Sequence, residues 1–202
     1  MKEFWDKRYS DERYAYGEGP NMFFKYCLEN HSPGRILLPA EGEGRNAVYA
    51  AKKGWDVYAF DQSIEGKKKA GNLATRNDVS IHYEVANFLE YDFQEGFFDM
   101  VGMVYVHLSG QSKGEHLAAV DKSLREGGVI IFEAFSKSHL EFSSVNEKAG
   151  GPKDPAMLYS KEDLVLLFPK YNIILLEEKE VELNEGLYHV GRSSVIRYVG
   201  VK

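Results

Sequence analysis

Residues 36–47 read ILLPAEGEGRNA. Apolar residues run into Gly42 and Gly44, and a helix-like pattern opens at Arg45, so the stretch predicts strand, glycine turn and helix in succession. Such turns usually hold phosphate, because the backbone comes close and the helix N-terminus presents free N–H groups. This one carries two carboxylates, Glu41 and Glu43. Its ligand must want the glycines and tolerate the acids.

Outward from the turn the chain keeps a rhythm. Strands are predicted over 35–39, 56–60 and 80–85, with helices over 45–53 and 63–75 between them and Gly54 as a breaker. FDMVGMVYV at 98–106 is a near-continuous apolar run, as expected of a strand covered on both faces. A helix over 112–124, a turn at Arg125-Glu-Gly-Gly128 and a strand over 129–134 follow. Alternation of this kind implies a parallel sheet with right-handed crossovers. The end of the chain changes character. Runs at 171–183 and 189–201 flank Asn184-Glu-Gly186, a loop too short for a parallel crossover and suited to an antiparallel hairpin. Residues 136–155, with GGPKDP, read as a long irregular connection of the kind that forms lids or is disordered. Ahead of the turn, 21–29 reads as a short helix ended by His31-Ser-Pro-Gly34.

Composition bounds the function. At 202 residues, with 44% hydrophobic and 28% charged, the chain predicts one domain with a substantial core. A net charge of −6 argues against nucleic acid or an anionic membrane as partner, and Lys67-Lys68-Lys69 reads as a solvated helix face. The longest apolar runs, such as VIIF at 129–132, are too short to span a membrane. The N-terminus shows no signal-peptide pattern, and a single cysteine, Cys27, fits a buried small side chain in a reducing compartment. A cytoplasmic protein is expected, of undetermined oligomeric state. The six histidines lack metal-ligand spacing and one cysteine cannot build a thiolate cage, so no metal site is expected. Neither a nucleophile elbow nor a Walker loop is present.

Gly42-Glu-Gly44-Arg-Asn-Ala47 matches G-x-G-x-x-A, and Asp61 ends the next strand as a dinucleotide fingerprint would ask. Carboxylates at 41 and 43 would repel a pyrophosphate at short range. S-adenosylmethionine (SAM) has an adenosine, a ribose diol, an ammonium and a sulfonium, and no phosphate. An acidic turn suits that cationic ligand. A nicotinamide-dependent oxidoreductase and a non-catalytic SAM-binding module are the alternatives.

Together the motifs resemble the class I SAM-dependent methyltransferases over nearly the whole chain, most nearly the small bacterial methyltransferases related to the tellurite-resistance group. The residues carrying the resemblance are Phe4-Trp-Asp-Lys-Arg-Tyr9, Tyr16-Gly-Glu-Gly-Pro-Asn21, Glu41-Gly-Glu-Gly-Arg-Asn46 and Phe97-Phe-Asp-Met100. Tyr105-Val-His-Leu108, Leu124-Arg-Glu-Gly-Gly128, Gly150-Gly-Pro-Lys153 and Glu185-Gly-Leu-Tyr-His189 continue it. The resemblance implies an α/β fold: a Rossmann-like, doubly wound seven-stranded mixed sheet, its last strand antiparallel and helices on both faces. It implies one methyltransferase domain over 1–202, with an N-terminal helical lid region (1–33), a cofactor-binding core (34–135), a lid or loop (136–158) and a C-terminal helix and hairpin (159–202).

Carried over by position, Ala40, Gly42 and Gly44 would line the methionine and adenosine side, with Asn46 and Gln62 also at the cofactor. Asp61 would hold the ribose hydroxyls, Asn87 and Phe88 would lie by the adenine, and Tyr105 and Val106 under the methyl donor. The acid usual at the end of the first strand is Leu38 here, and the aspartate usual by the adenine is Asn87. Glu41 is therefore expected to meet the SAM ammonium, and Asn87 to accept through its amide oxygen. Trp5, Arg8, Tyr9 and Tyr16 are expected to close over a ligand or to pack the first helix, with Glu133 and His189 near the acceptor. A small-molecule acceptor is implied. A thiol or chalcogen oxyanion would need no base; a hydroxyl or amine would need one, with His107 the first candidate and Glu133 the second.

Overall fold

The computed structural model describes residues 2–108, 110 and 112–202. Seven strands form one sheet in the order β3-β2-β1-β4-β5-β7-β6, comprising β1 (Arg35–Pro39), β2 (Asp56–Asp61), β3 (His82–Val85), β4 (Phe98–Val104), β5 (Leu124–Phe135), β6 (Asn172–Glu185) and β7 (His189–Val201). The first five pair in parallel, and β7 runs antiparallel to both β5 and β6. This is the mixed sheet anticipated from the alternation and the closing hairpin.

Both faces are covered, which explains the apolar strands. In β1, Leu37 packs toward Val101, Phe132 and Tyr198 on one face, while Ile36 and Leu38 point to Val57, Met100 and Ile131 on the other. The first face is closed by α5 (Lys113–Ser123) and α7 (Lys161–Leu167) through Leu117, Val120 and Leu164. The second is closed by α2 (Met22–Glu29) and α3 (Arg45–Lys52) through Phe24, Leu28, Ala47 and Ala50. Cys27 lies in this layer, where burial pushes its thiol up to about 12. The remaining helices are α1 (Lys2–Tyr9), α4 (Ile64–Arg76) and α6 (His139–Val145). Among the described residues no helix is long and apolar enough to cross a membrane.

Several expectations are corrected. Residues 136–155 are ordered rather than irregular, holding α6 and a 3-10 turn (Glu147–Ala149), with a second (Pro155–Met157) at their end. The Arg125–Gly128 segment belongs to β5 and is accommodated by a register shift against β4, with Gly127 at φ +71°. The hairpin turn lies at 186–188, two residues later than expected. Lys69 is not a solvated residue: its ammonium reaches the Glu43 carboxylate at 2.8 Å.

Candidate active site

A cavity of about 720 Å³ opens where β1, β2, β4 and β5 end, between the glycine turn and the segments that cover it. The position follows from topology: β1 leads to β2 on one side and β4 lies on the other, and ligands of open α/β sheets settle at that reversal. The volume lies in the upper half of the ~300–1,000 Å³ usual for small-ligand sites. Ala40, Glu41, Gly42 and Asn46 border it from the turn, and Asp61 and Gln62 from the end of β2. Asn87 and Phe88, then Tyr105, Val106 and His107, border it from the loops after β3 and β4. Trp5, Arg8, Tyr9, Tyr16 and His189 complete the wall.

Two predicted residues are elsewhere. Gly44 does not border the cavity; a Cβ there would stand 2.6 Å from that of Ala70, so this glycine lets α3 and α4 approach. Glu133 is also outside the lining. It is 1% exposed and ion-paired to Arg197 Nε at 2.6 Å, with Asn21 Nδ2 donating to it at 2.6 Å. A carboxylate fixed from two sides in this way braces the sheet.

The two acids of the turn do different work. Glu41 accepts from the backbone N–H groups of Asn46 and Ala47 at 2.7 and 2.8 Å and from Asn46 Nδ2 at 3.3 Å. It thereby fills the helix N-terminus that a phosphate would otherwise take. Burial pushes its carboxyl up to about 7 against these hydrogen bonds. Asn46 is occupied too, its amide oxygen accepting from Asn21 N at 2.9 Å. Glu43 faces away from solvent and accepts from Ala15 N at 2.7 Å. Asp61 accepts from Gly42 N at 3.1 Å and Ser63 N at 2.9 Å, and burial raises it to about 6. Ser63, not Asp61, caps α4 through its hydroxyl.

At the far end of the cavity stand rings. Tyr105, in left-handed backbone at φ +55°, lies 4.7 Å from Phe135 and 4.4 Å from His189. His107 Nδ1 lies 2.9 Å from the Met157 carbonyl, so it carries the proton and donates; Nε2 is buried without a partner among the described residues. Burial lowers His107 to about 3. His189 Nδ1 lies 3.2 Å from Glu185, and the ring is 4.4 Å from Tyr16. His139 lies behind them, stacked on Phe135 at 3.9 Å and bonded to Gly150 O. The sequence held no local signal for His139 or for the Glu185–His189 pairing.

The segment between α1 and α2 straps over this end. Ala15 O accepts from Leu187 N at 2.7 Å, Arg45 donates to Tyr16 O at 3.1 Å, and Arg8 donates to the Tyr16 hydroxyl at 2.8 Å. Gly17 and Gly186 touch: a Cβ on Gly186 would meet Gly17 N at 2.4 Å.

The chain is similar to known proteins in the same sense. Residues 36–128 match the model of a methyltransferase domain. A glycine/sarcosine N-methyltransferase from Aphanothece halophytica is 28% identical over 137 residues, 65% of this chain and 51% of that protein, so the chain spans about half the length of this curated relative. A structure solved for the conversion of a disulfide bond into a thioacetal group during echinomycin biosynthesis superposes with a TM-score of 0.81 at 17% identity, covering 100% of this chain and 91% of the other. TehB from Haemophilus influenzae superposes at 0.73 and 15% identity, over 100% of this chain and 66% of its own. Two further structures of the same fold hold bound S-adenosylhomocysteine. The chain thus has the fold of solved SAM-dependent methyltransferases, and its residues 36–128 match a methyltransferase domain.

Proposed function

We propose that the chain transfers a methyl group from SAM to a small-molecule acceptor, a thiol, chalcogen oxyanion or similar group. The observation that carries the cofactor reading is Glu41 at the start of α3: the N–H groups a pyrophosphate would need are taken by a carboxylate. The same carboxylate, with Asp61, turns negative charge toward a cationic ligand. Gly42 supports the fit, since a Cβ there would come within 2.7 Å of the Tyr9 hydroxyl and narrow the cradle.

In this reading Asp61 holds the ribose hydroxyls, Asn87 and Phe88 the adenine, and Glu41 the ammonium through the lone pairs α3 leaves over. Ala40, Gly42, Gln62 and Val106 shape the cofactor's walls, and Trp5, Arg8, Tyr9 and Tyr16 close the acceptor side. Bound SAM supplies a methyl carbon on a positively charged sulfur. The residues of the chain align the acceptor behind it and exclude water, an effect worth up to ~7–11 kcal/mol in well-oriented systems. The functional divisions are a cover at 1–33, a cofactor core at 34–135, a second cover at 136–158 and a bracing helix and hairpin at 159–202. The thioacetal-forming neighbour supports a sulfur acceptor; the glycine/sarcosine methyltransferase supports a small one.

Calorimetric titration with S-adenosylhomocysteine, SAM and NAD tests the cofactor. Micromolar binding of the first two and none of NAD is expected; binding of NAD alone overturns the reading.

A further inference from the structure

Resting on the methyltransferase reading, we propose that His189 is a general base held by Glu185 as its positioning residue, and that the acceptor binds with its proton on, as a hydroxyl or un-ionised thiol. Glu185 Oε2 lies 3.2 Å from His189 Nδ1. The carboxylate is itself anchored, by Arg45 Nη2 at 3.0 Å and Asn21 Nδ2 at 3.2 Å. The imidazole is 4% exposed and wedged among Tyr16, Tyr105 and Phe135 at 4.4, 4.4 and 5.1 Å. With Nδ1–H donating to Glu185, the ring borders the cavity with Nε2 as its acceptor. A base whose far nitrogen is oriented by a fixed carboxylate is the arrangement that activates nucleophiles in unrelated folds.

His107 lacks this arrangement. Its Nδ1 donates to a neutral carbonyl, and among the described residues no carboxylate is paired with the ring. Its Nε2 is buried without a partner among the described residues, closed off from a ligand in the cavity, so it offers no base to an acceptor. The cations bordering the cavity are already engaged: Arg45 with Glu185, Arg8 with the Tyr16 hydroxyl and Lys153 with Ser143 O. An oxyanion would meet the His189 Nε2 lone pair with no proton to share, whereas an X–H group donates to it.

The groups facing His189 are Glu185 on β6, Arg45 on α3, Tyr105 and His107 after β4, Tyr16 on the strap and His139 on α6. Burial, with Arg45 opposing Glu185, lowers His189 to about 4. Such a base leaves a free hydroxyl or thiol un-ionised at neutral pH. It accepts the proton once the acceptor's lone pair has begun to bond the methyl carbon, because the X–H group then becomes strongly acidic. The acceptor–carbon bond forms, the carbon–sulfur bond breaks with its pair kept by sulfur, and the proton passes to His189 Nε2 and on to water. Glu185 stabilises the imidazolium formed.

Nitrogen-15 NMR of the histidines with S-adenosylhomocysteine bound reads the pairing without any acceptor. We expect neutral His189 with its proton on Nδ1 at pH 7, and loss of that tautomer in Glu185→Gln. A proton on Nε2, or a charged ring at pH 7, overturns the proposal. Transfer of labelled methyl from SAM to phenol, 2-mercaptoethanol and selenite reads the chemistry. For the two protonated probes, His189→Gln should lower kcat by about 100-fold or more with KM within about twofold. Methylation of selenite alone, unaffected by His189→Gln, also overturns the proposal. If no probe is methylated, the tautomer decides. Failure of wild-type protein to bind S-adenosylhomocysteine instead removes the methyltransferase reading, and the NMR of the ligand-free protein then judges the pairing by itself.

Discussion

Glu41 and Asp61 sit at the cavity wall with carboxyls raised to about 7 and about 6, both because burial penalises their charged form. A cationic ligand favours the ionised form and pulls both values down, so its binding must release protons where the free carboxyls are partly protonated. At pH 6.5 the release should be on the order of one proton per SAM bound, and affinity should rise as pH climbs through 6 to 7. S-adenosylhomocysteine, lacking the sulfonium charge, should release less. Calorimetry in buffers of different ionisation heat measures this directly, and Glu41→Gln should remove most of the release. A proton-neutral titration would place the ligand's charge away from both acids. At this scale the sequence was half legible. The acids in the turn pointed to a cation, because like charge repels whatever the geometry. That Glu41 caps α3, or that Asn46 turns its amide to Asn21, depends on contacts invisible to spacing.

The strap between α1 and α2 is the element whose behaviour the contacts define most sharply. Glu43, Arg45 and Leu187 hold its backbone at Ala15 and Tyr16, and Gly17 lies against Gly186. Gly186 has φ +66°, and a Cβ there would also come within 2.5 Å of Ala15 O, backbone on backbone with no flexible end to yield. Gly186→Ala should therefore lift the strap at a cost of about 1–3 kcal/mol. Amide exchange should accelerate at 14–17 and 187 while β1, β4 and β5 keep their protection; a uniform loss across the sheet would mean the strap is part of one cooperative unit. Elements with strong periodicity were legible. The apolar runs of β1 and β4 announced burial on both faces, and the short loop before β7 announced an antiparallel partner. The seven-residue helix α6 was missed because two turns of helix carry too little periodicity to stand out beside GGPKDP. The Glu185–His189 dyad was missed in another way: both residues were in view, yet pairing across a hairpin turn depends on side-chain direction, and the carboxylate's anchors, Arg45 and Asn21, are 140 and 164 residues distant from it.

Across the whole molecule the displaced groups oppose one another, and the balance sets how stability follows pH. Glu41 and Asp61 are raised on folding, so the folded chain binds their protons below about 7 and about 6, while the unfolded chain binds them only near the ordinary carboxylate range. Their contribution is fully present below the unfolded values and lost as pH rises through the folded ones. His107 and His189, lowered to about 3 and about 4, act in reverse: the unfolded chain takes their protons below roughly 6.5 and the folded chain does not. His139, lowered mainly by burial, adds to their side. Glu43 and Glu133 are raised by burial as well, so between pH 6.5 and 4.5 the carboxyl protons on the folded side oppose the histidine protons on the unfolded side, and stability of the ligand-free protein should decline only gently. Below about pH 4.5 the carboxyl gains end. Glu185, held down to about 2 despite burial by His189 and Arg45, then joins the losses, since its contribution is present above the unfolded value and disappears as pH falls through the folded one. Urea unfolding at pH 6.5, 5.5, 4.5 and 3.5 should show a shallow slope followed by a steep one. Glu185→Gln should flatten the steep limb while lowering stability at pH 7. A single steep fall beginning at pH 6.5 would mean that the carboxyls are not binding protons in the folded state, so that both stay ionised and the binding of a cationic ligand releases no protons.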